Sequence, residues 1–197
     1  MTKVVIVDSG GANITSLQCA FARLGARSRV TSDPSTIANA ERVVLPGVGA
    51  ARHAMERLEA WGLVDVLRRL TQPVLGICLG MQLFFTQSEE GDTQCLGIVQ
   101  GTVSRLLPAS GRPVPHMGWN QVRHHREDPL MEGIRDHSYF YFVHAYAAPI
   151  QCETIAETEH GQPISAVVRS LNYRGTQFHP ERSGRAGARV LANFLRL

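Results

Sequence analysis

One thiol stands between two glycines in Gly76-Ile77-Cys78-Leu79-Gly80. Far downstream, Phe178-His179-Pro180-Glu181 sets an imidazole and a carboxylate two positions apart. An unperturbed thiol, with a pKa of about 8.5, is only a few per cent thiolate at neutral pH. A histidine that takes its proton turns it into a nucleophile, and a carboxylate behind the ring orients it and stabilises the imidazolium. His179 precedes a proline, which biases it to extended backbone. Residues two apart in extended chain point the same way, so His179 and Glu181 share a side. A third piece is Leu45-Pro46-Gly47-Val48-Gly49, where Gly47 and Gly49 flank Val48. Such a backbone is able to aim N–H groups at a developing oxyanion; taken alone, it reads first as a tight strand-to-helix turn, since glycines after strands are common.

The elements around these residues are those the chemistry needs. The run 73–77 is apolar and reads as a buried strand, and LGMQLFF (79–85) begins a helical pattern. A sharp strand-to-helix turn of this kind is the thiol form of a nucleophile elbow. It lifts Cys78 above the carboxyl end of a sheet, where open α/β sheets bind ligands. VVIVD (4–8) and RVVLP (42–46) read as two more buried strands. A helix is predicted after the first, with Ile14, Leu17, Phe21 and Leu24 on one face and Gly25 as its stop. Another covers about 51–60, with Met55 and Leu58 inward. Strands separated by helices imply a parallel sheet.

The second half changes period. Segments near 96–107, 119–123, 138–144, 154–159, 164–169 and 172–178 are short and rich in Val, Ile, Tyr and Phe. They read as antiparallel hairpins appended to the core, with turns such as Ser110-Gly111 and His160-Gly161. A last helix follows Gly187 and buries Val190, Leu191 and Phe194. The fold class is therefore α/β, an open and mostly parallel sheet flanked by helices with appended antiparallel strands. No repeat or linker composition divides residues 1–197, which read as a single domain.

Composition excludes several classes. The chain of 197 residues is 44% hydrophobic and 19% charged, with a net charge of +3. That charge is weak and interspersed, which argues against nucleic acid. No apolar run nears the roughly 20 residues of a membrane span, and MTKVVIVDSGG lacks signal-peptide features, so a cytoplasmic location is expected. Cys19, Cys95 and Cys152 read as small buried hydrophobes. With no Cys-x-x-Cys, and with His124 and His125 adjacent, neither a metal site nor a disulfide framework is expected. SGGAN (9–13) is not a dinucleotide fingerprint.

GICLGMQ with the distant FHPE resembles the class I, triad-type glutamine amidotransferases. LPGVG, PHMGWNQV, YFYFVHAYA and QFHPERSGRAG extend the likeness, in order, to the glutaminase subunits of imidazole glycerol phosphate synthase. That resemblance implies a flavodoxin-like glutaminase fold. It implies Cys78 as nucleophile, His179 as general base and acid, and Glu181 as the group orienting the ring. It implies that Gly47, Val48 and Gly49 form an oxyanion strand, with the Leu79 N–H as the other donor. Gln82 then contacts bound L-glutamine, and Ala145 and Tyr146 hold its α-amino-acid end through backbone groups. Residue 145 departs from the family, which more often has Ser or Thr there. Asn13, Met117, Trp119, Asn120, Tyr141 and Arg182 are implied to lie toward a partner, a (β/α)₈ cyclase subunit in a heterodimer. That subunit combines ammonia with the nucleotide PRFAR to give imidazole glycerol phosphate and AICAR. No cofactor is implied.

The domain shows no acceptor site of its own, and free ammonia is protonated and lost in water, which independently argues for a partner. The Gly47–Gly49 backbone also suggests an oxyanion hole that completes only when the partner is loaded. Alternatives are another amidotransferase glutaminase, a stand-alone cysteine hydrolase, or a binding module with a pseudo-active site.

Overall fold

A computed structural model describes residues 3–8, 14–108 and 110–197. The first half runs β1 (Lys3–Val7), α1 (Ile14–Arg23), β2 (Arg27–Thr31), α2 (Pro34–Ala38), β3 (Val43–Gly47), α3 (Ala51–Ala60), α4 (Val64–Arg68), β4 (Val74–Cys78) and the single turn α5 (Leu79–Gln82). The second half adds β5 (Phe85–Ser88), β6 (Thr93–Gln94), β7 (Val99–Arg105), β8 (His116–His124), β9 (Ser138–His144), β10 (Tyr146–Ala147), β11 (Thr154–Glu159), β12 (Pro163–Ser170), β13 (Tyr173–Thr176) and α6 (Gly184–Phe194).

Among the described residues, nine strands form one sheet in the order β2-β1-β3-β4-β13-β12-β11-β8-β9. The pairs from β2 through β13 are parallel; those from β13 through β9 are antiparallel. The appended strands thus extend the parallel sheet instead of standing apart from it. A smaller sheet, β10-β7-β5-β6, packs beside it.

The central parallel strands β1, β3 and β4 are buried on both faces, as their continuous apolar runs require. Val5, Val7, Val43, Leu45 and Val74 meet Ile37 of α2, Met55 and Leu58 of α3 and Leu67 of α4 on one side. Val4, Ile6, Val44, Leu75 and Ile77 meet Leu17 and Phe21 of α1 and Val190, Leu191 and Phe194 of α6 on the other. Alternate residues of each strand serve opposite helix layers, which is the period-two side-chain geometry of a strand.

Four expectations change. Cys19 and Cys152, read as buried, are exposed, Cys19 on the solvent side of α1 and Cys152 in the loop before β11, and only Cys95 of the three is buried. The helix expected from LGMQLFF is one turn, because Leu83, Phe84 and Phe85 are buried all round and Phe85 leaves to pair with Val99 in β7. The segment 172–178 does not end a hairpin stack. Its strand β13 is antiparallel to β12 but parallel to β4, so it joins the core. The last helix starts at Gly184, before Gly187; a Cβ at Gly187 would lie 2.0 Å from the Pro180 carbonyl oxygen, a close approach of the helix's first turn to the 3₁₀ turn Pro180–Arg182 that precedes it.

Candidate active site

β3, β4 and β13 are parallel neighbours, with Gly47 opposite Cys78 and Thr176 opposite Ile77. Beyond Thr176 the chain leaves the ladder. Phe178 plugs into the core, stacked on Phe140 with ring centroids 4.0 Å apart, and His179 emerges at the same edge as Cys78.

Cys78 takes φ 54° and ψ −112°, a strained conformation for a residue with a Cβ. The glycines around it are dictated by packing. A Cβ on Gly80 would lie 1.8 Å from the Leu45 carbonyl oxygen, and one on Gly76 would lie 2.7 Å from both the Gly80 oxygen and the Phe84 ring. The turn closes only if both positions lack a side chain. The sulfur then sits 3.7 Å from the Val143 carbonyl oxygen and 3.7 Å from Gln177 Nε2.

His179 is anchored through its backbone. Its N–H donates to the Tyr141 carbonyl at 2.9 Å, and its carbonyl accepts from Ser183 Oγ at 2.7 Å. Its Nδ1 lies 2.8 Å from Glu181 Oε1. Nε2 is buried without a hydrogen bond of normal geometry, and so is Glu181 Oε2. Burial opposes charge on this ring, but the Cys78 sulfur and the Glu181 carboxylate outweigh it and lift its pKa to about 10.

A cleft of ≈ 280 Å³ opens over these groups. Val48, Gly49, Cys78, Leu79, Gln82, Ala145, Tyr146, His179, Glu181 and Arg182 all line it. Gly49 has φ +90°, a left-handed conformation that favours glycine. The Ala145 carbonyl accepts from Leu106 N–H at 2.9 Å, and the Tyr146 carbonyl from Gln82 Nε2 at 2.7 Å.

The residues expected toward a partner divide. Met117 and Trp119 are 63% and 56% exposed on the outer face of β8. Trp119 pairs with Tyr141 across β8–β9, their rings edge to face at 6.1 Å, and the Arg182 guanidinium lies 5.1 Å from the Tyr141 ring centroid. Tyr139 continues this face at 55% exposure. Asn120, half-buried, takes the opposite face of β8, where its Nδ2 donates to the Glu159 carbonyl at 2.8 Å and contacts His116 Nε2 at 3.2 Å. Asn13 lies outside the described residues.

Four cleft or near-cleft groups have no counterpart in the expectations. Glu90, half-buried in a turn after β5, lines the cleft and accepts from the Ala51 N–H at 2.8 Å. Val143 and His144 enter from the end of β9. Gln177 is fully buried beneath Cys78. None carried a clear sequence signal: Gln177 follows Arg174 and Thr176 in a mixed polar stretch, and Glu90 looks like any acidic turn residue.

The sequence profile described as "Glutamine amidotransferase class-I" matches residues 5–197. The imidazole glycerol phosphate synthase subunit HisH of Xanthomonas axonopodis pv. citri (strain 306) is 50% identical over 197 residues, covering 100% of this chain and 98% of that protein. The HisH subunit of Vibrio cholerae serotype O1 is 48% identical over 200 residues, covering 98% of each. Solved structures show the same fold. The crystal structure of a glutamine amidotransferase superposes with a TM-score of 0.75 at 19% identity, covering 98% of this chain and 97% of that one. PurLQS from Thermotoga maritima also gives 0.75 at 19%, covering 99% and 98%. A cleft with a cysteine at a strained turn, under a histidine bonded to a carboxylate, thus accompanies full-length likeness, and the chain belongs to the class-I glutamine amidotransferase family, among the HisH subunits of imidazole glycerol phosphate synthase.

Proposed function

We propose that residues 1–197 act as one glutaminase unit that hydrolyses L-glutamine to glutamate and ammonia at Cys78. The observation that carries this reading is the Cys78–His179–Glu181 cluster, with His179 Nδ1 bonded to Glu181 and its ring charged by both neighbours. The Cys78 sulfur attacks the side-chain amide carbon, and His179 gives its proton to the departing nitrogen, so ammonia leaves and a glutamyl thioester remains. Water then attacks the thioester with His179 as base. The carbon–sulfur bond breaks, its electron pair returns to sulfur, and glutamate leaves. Glu181 keeps the ring oriented throughout. The Gly47–Val48–Gly49 backbone and the Leu79 N–H are suited to the oxyanion of both steps. Gln82, Ala145 and Tyr146 are suited to the rest of the substrate. The Glu90 carboxylate, lining the same cleft, is suited to its α-ammonium group.

Ammonia is then passed to a (β/α)₈ cyclase subunit, which joins it to PRFAR and yields imidazole glycerol phosphate and AICAR in histidine biosynthesis. The names of the relatives support a partner subunit. So does the exposed face of Met117, Trp119 and Tyr139, because large apolar groups clustered at a surface mark interaction sites. That face adjoins the cleft: β9 carries Tyr141 and Val143, whose carbonyls touch His179 and Cys78. A cytoplasmic setting fits the four free cysteines, and no helix among the described residues is long and apolar enough to cross a membrane.

The deciding experiment measures glutamate release from glutamine by the chain alone, then with PRFAR and a barrel cyclase subunit. A large rise with the loaded partner is the expected result. Fast hydrolysis by the isolated chain, unaffected by the partner, would instead indicate an uncoupled hydrolase.

A further inference from the structure

Gln177 is fully buried and bears a polar amide at a position where the adjoining Phe178 and Ala166 are apolar. Burying an amide is costly unless each of its groups finds a partner, and the partners here are specific. Gln177 Oε1 lies 2.9 Å from Gln82 Nε2, and Gln177 Nε2 lies 3.7 Å from the Cys78 sulfur.

The orientation of this amide follows from its surroundings. The Tyr146 carbonyl oxygen only accepts. Gln82 meets it at 2.7 Å, and His144 Nδ1 meets it at 2.9 Å, so both of those atoms donate. The Gln82 end facing Tyr146 is therefore its NH₂. The atom of Gln177 that meets this NH₂ must be its oxygen, and its own NH₂ is left facing sulfur. His144, a donor at Nδ1, accepts at Nε2 from His116 Nδ1 at 3.0 Å, which holds His144 as the neutral tautomer that fits. The direction of every bond in this series, from His116 to Cys78, is determined by one carbonyl.

We propose that Gln177 is a positioning residue for the nucleophile, its side-chain N–H donating to the Cys78 sulfur and holding it in line for attack. The proposal rests on Cys78 being the nucleophile. The sulfur has two neighbours of opposite kind. The Val143 carbonyl accepts from the thiol S–H, whereas the Gln177 N–H donates to sulfur. Loss of the thiol proton removes the first contact and strengthens the second, because a donor to an anion is the stronger bond. The sulfur therefore keeps one fixed partner as it ionises. The same N–H donates to the sulfur as it takes back the electron pair of the breaking thioester carbon–sulfur bond and departs as thiolate. Besides Cys78, the titratable or charged groups lining the cleft around this contact are Glu90, His144, Tyr146, His179, Glu181 and Arg182.

The test compares wild type with Gln177→Glu and Gln177→Met, each in the complex with the cyclase subunit. Gln177→Glu keeps an acceptor toward Gln82 and replaces the donor toward sulfur; Gln177→Met removes both. The readouts are the pH midpoint of iodoacetamide alkylation at Cys78, followed by peptide mass, and steady-state glutamine hydrolysis. Both variants are expected to move the midpoint up by about one pH unit, and to lower kcat about tenfold with KM changed less than about threefold. Wild-type midpoint and kcat in a folded Gln177→Met would overturn the proposal. A measurement on the unaltered chain covers variants that fail to fold: the Gln177 side-chain NH₂ resonances in an ¹⁵N–¹H spectrum should titrate with Cys78 alkylation reactivity. If they stay fixed, the contact plays no part. Cys78→Ala separates the two readings. If it still hydrolyses glutamine, the nucleophile assignment fails, while the alkylation and resonance data continue to report on the contact itself.

Discussion

Thr176 stands opposite Ile77 in parallel register, and Gly47 opposite Cys78 one strand over. These two registers deliver His179 and the Gly47–Gly49 backbone to Cys78 from opposite sides. Each component arrives at or just beyond a strand end, and His179, three residues past the ladder, is pinned by its own bonds to the Tyr141 carbonyl and Ser183 Oγ.

Removing the proposed nucleophile or its proposed base should abolish turnover. Cys78→Ala and His179→Ala are each expected to lower kcat for glutamine hydrolysis by about 10³-fold or more, because groups that act as a unit fail together. The double variant should be no worse than either single one. Steady-state glutamate release in the complex with the cyclase subunit reads both.

His179 should remain charged far above neutral pH. Its pKa, raised to about 10, depends on Cys78 and Glu181 against opposing burial. Cys78→Ala and Glu181→Gln should each bring it down in an NMR titration of the imidazole. The stability consequence follows from its sign: a pKa raised above the unfolded value of 6.5 makes a contribution fully present below about 6.5 and lost as pH rises through about 10. An unchanged titration in both variants would remove the electrostatic basis of the triad.

Acid should weaken the fold through the buried histidine pair. Burial, then neighbouring histidines, pushes His116 down to about 3, and burial pushes His144 down to about 4. Both are held neutral in the folded chain, where the unfolded chain binds protons near 6.5. Their contribution is complete above about 6.5 and drains away as pH falls toward 4 and 3. Urea midpoints at pH 7.5 and pH 5 should differ, and His116→Asn should flatten that difference.

The elbow should not tolerate a methyl group. Gly80→Ala places a Cβ 1.8 Å from the Leu45 carbonyl oxygen, which is backbone and has no room to yield. A loss on the order of 3 kcal/mol, or failure to fold, is expected from thermal unfolding.

The outer face of β8 and β9 should govern docking. Trp119 is exposed and meets the Tyr141 ring edge to face, so Trp119→Ala should leave the unfolding temperature nearly unchanged. If this face binds the cyclase subunit, affinity should fall by about 2 kcal/mol, roughly thirtyfold. Equal affinity in a titration calorimeter would move the interface elsewhere.

The site was legible where chemistry demands residue types at fixed local spacing. The caged cysteine, the His179–Glu181 pair and the Gly47–Gly49 backbone are each a short stretch whose geometry follows from neighbouring residues. Elements without a periodic apolar signal stayed hidden. The edge strand β2 has the sequence RSRVT, half exposed and polar. The five-residue helices α2 and α4 are too short to show a face. The run LFF at 83–85 is apolar on every side, so no period tells a helix from a turn there.

By itself, the sequence determined the strand–helix alternation, the buried parallel core and which side chains are the candidates for chemistry, because these depend on local periodicity and on functional-group chemistry. Only the tertiary structure decided that β13 inserts beside β4, that Asn120 and Trp119 take opposite faces of β8, that Glu90 lines the cleft and that Gln177 lies beneath Cys78. Those facts depend on pairing between strands distant along the chain, and on which face of a strand meets the core. Contacts of that kind are set by the packing of the whole sheet, and no local pattern records them.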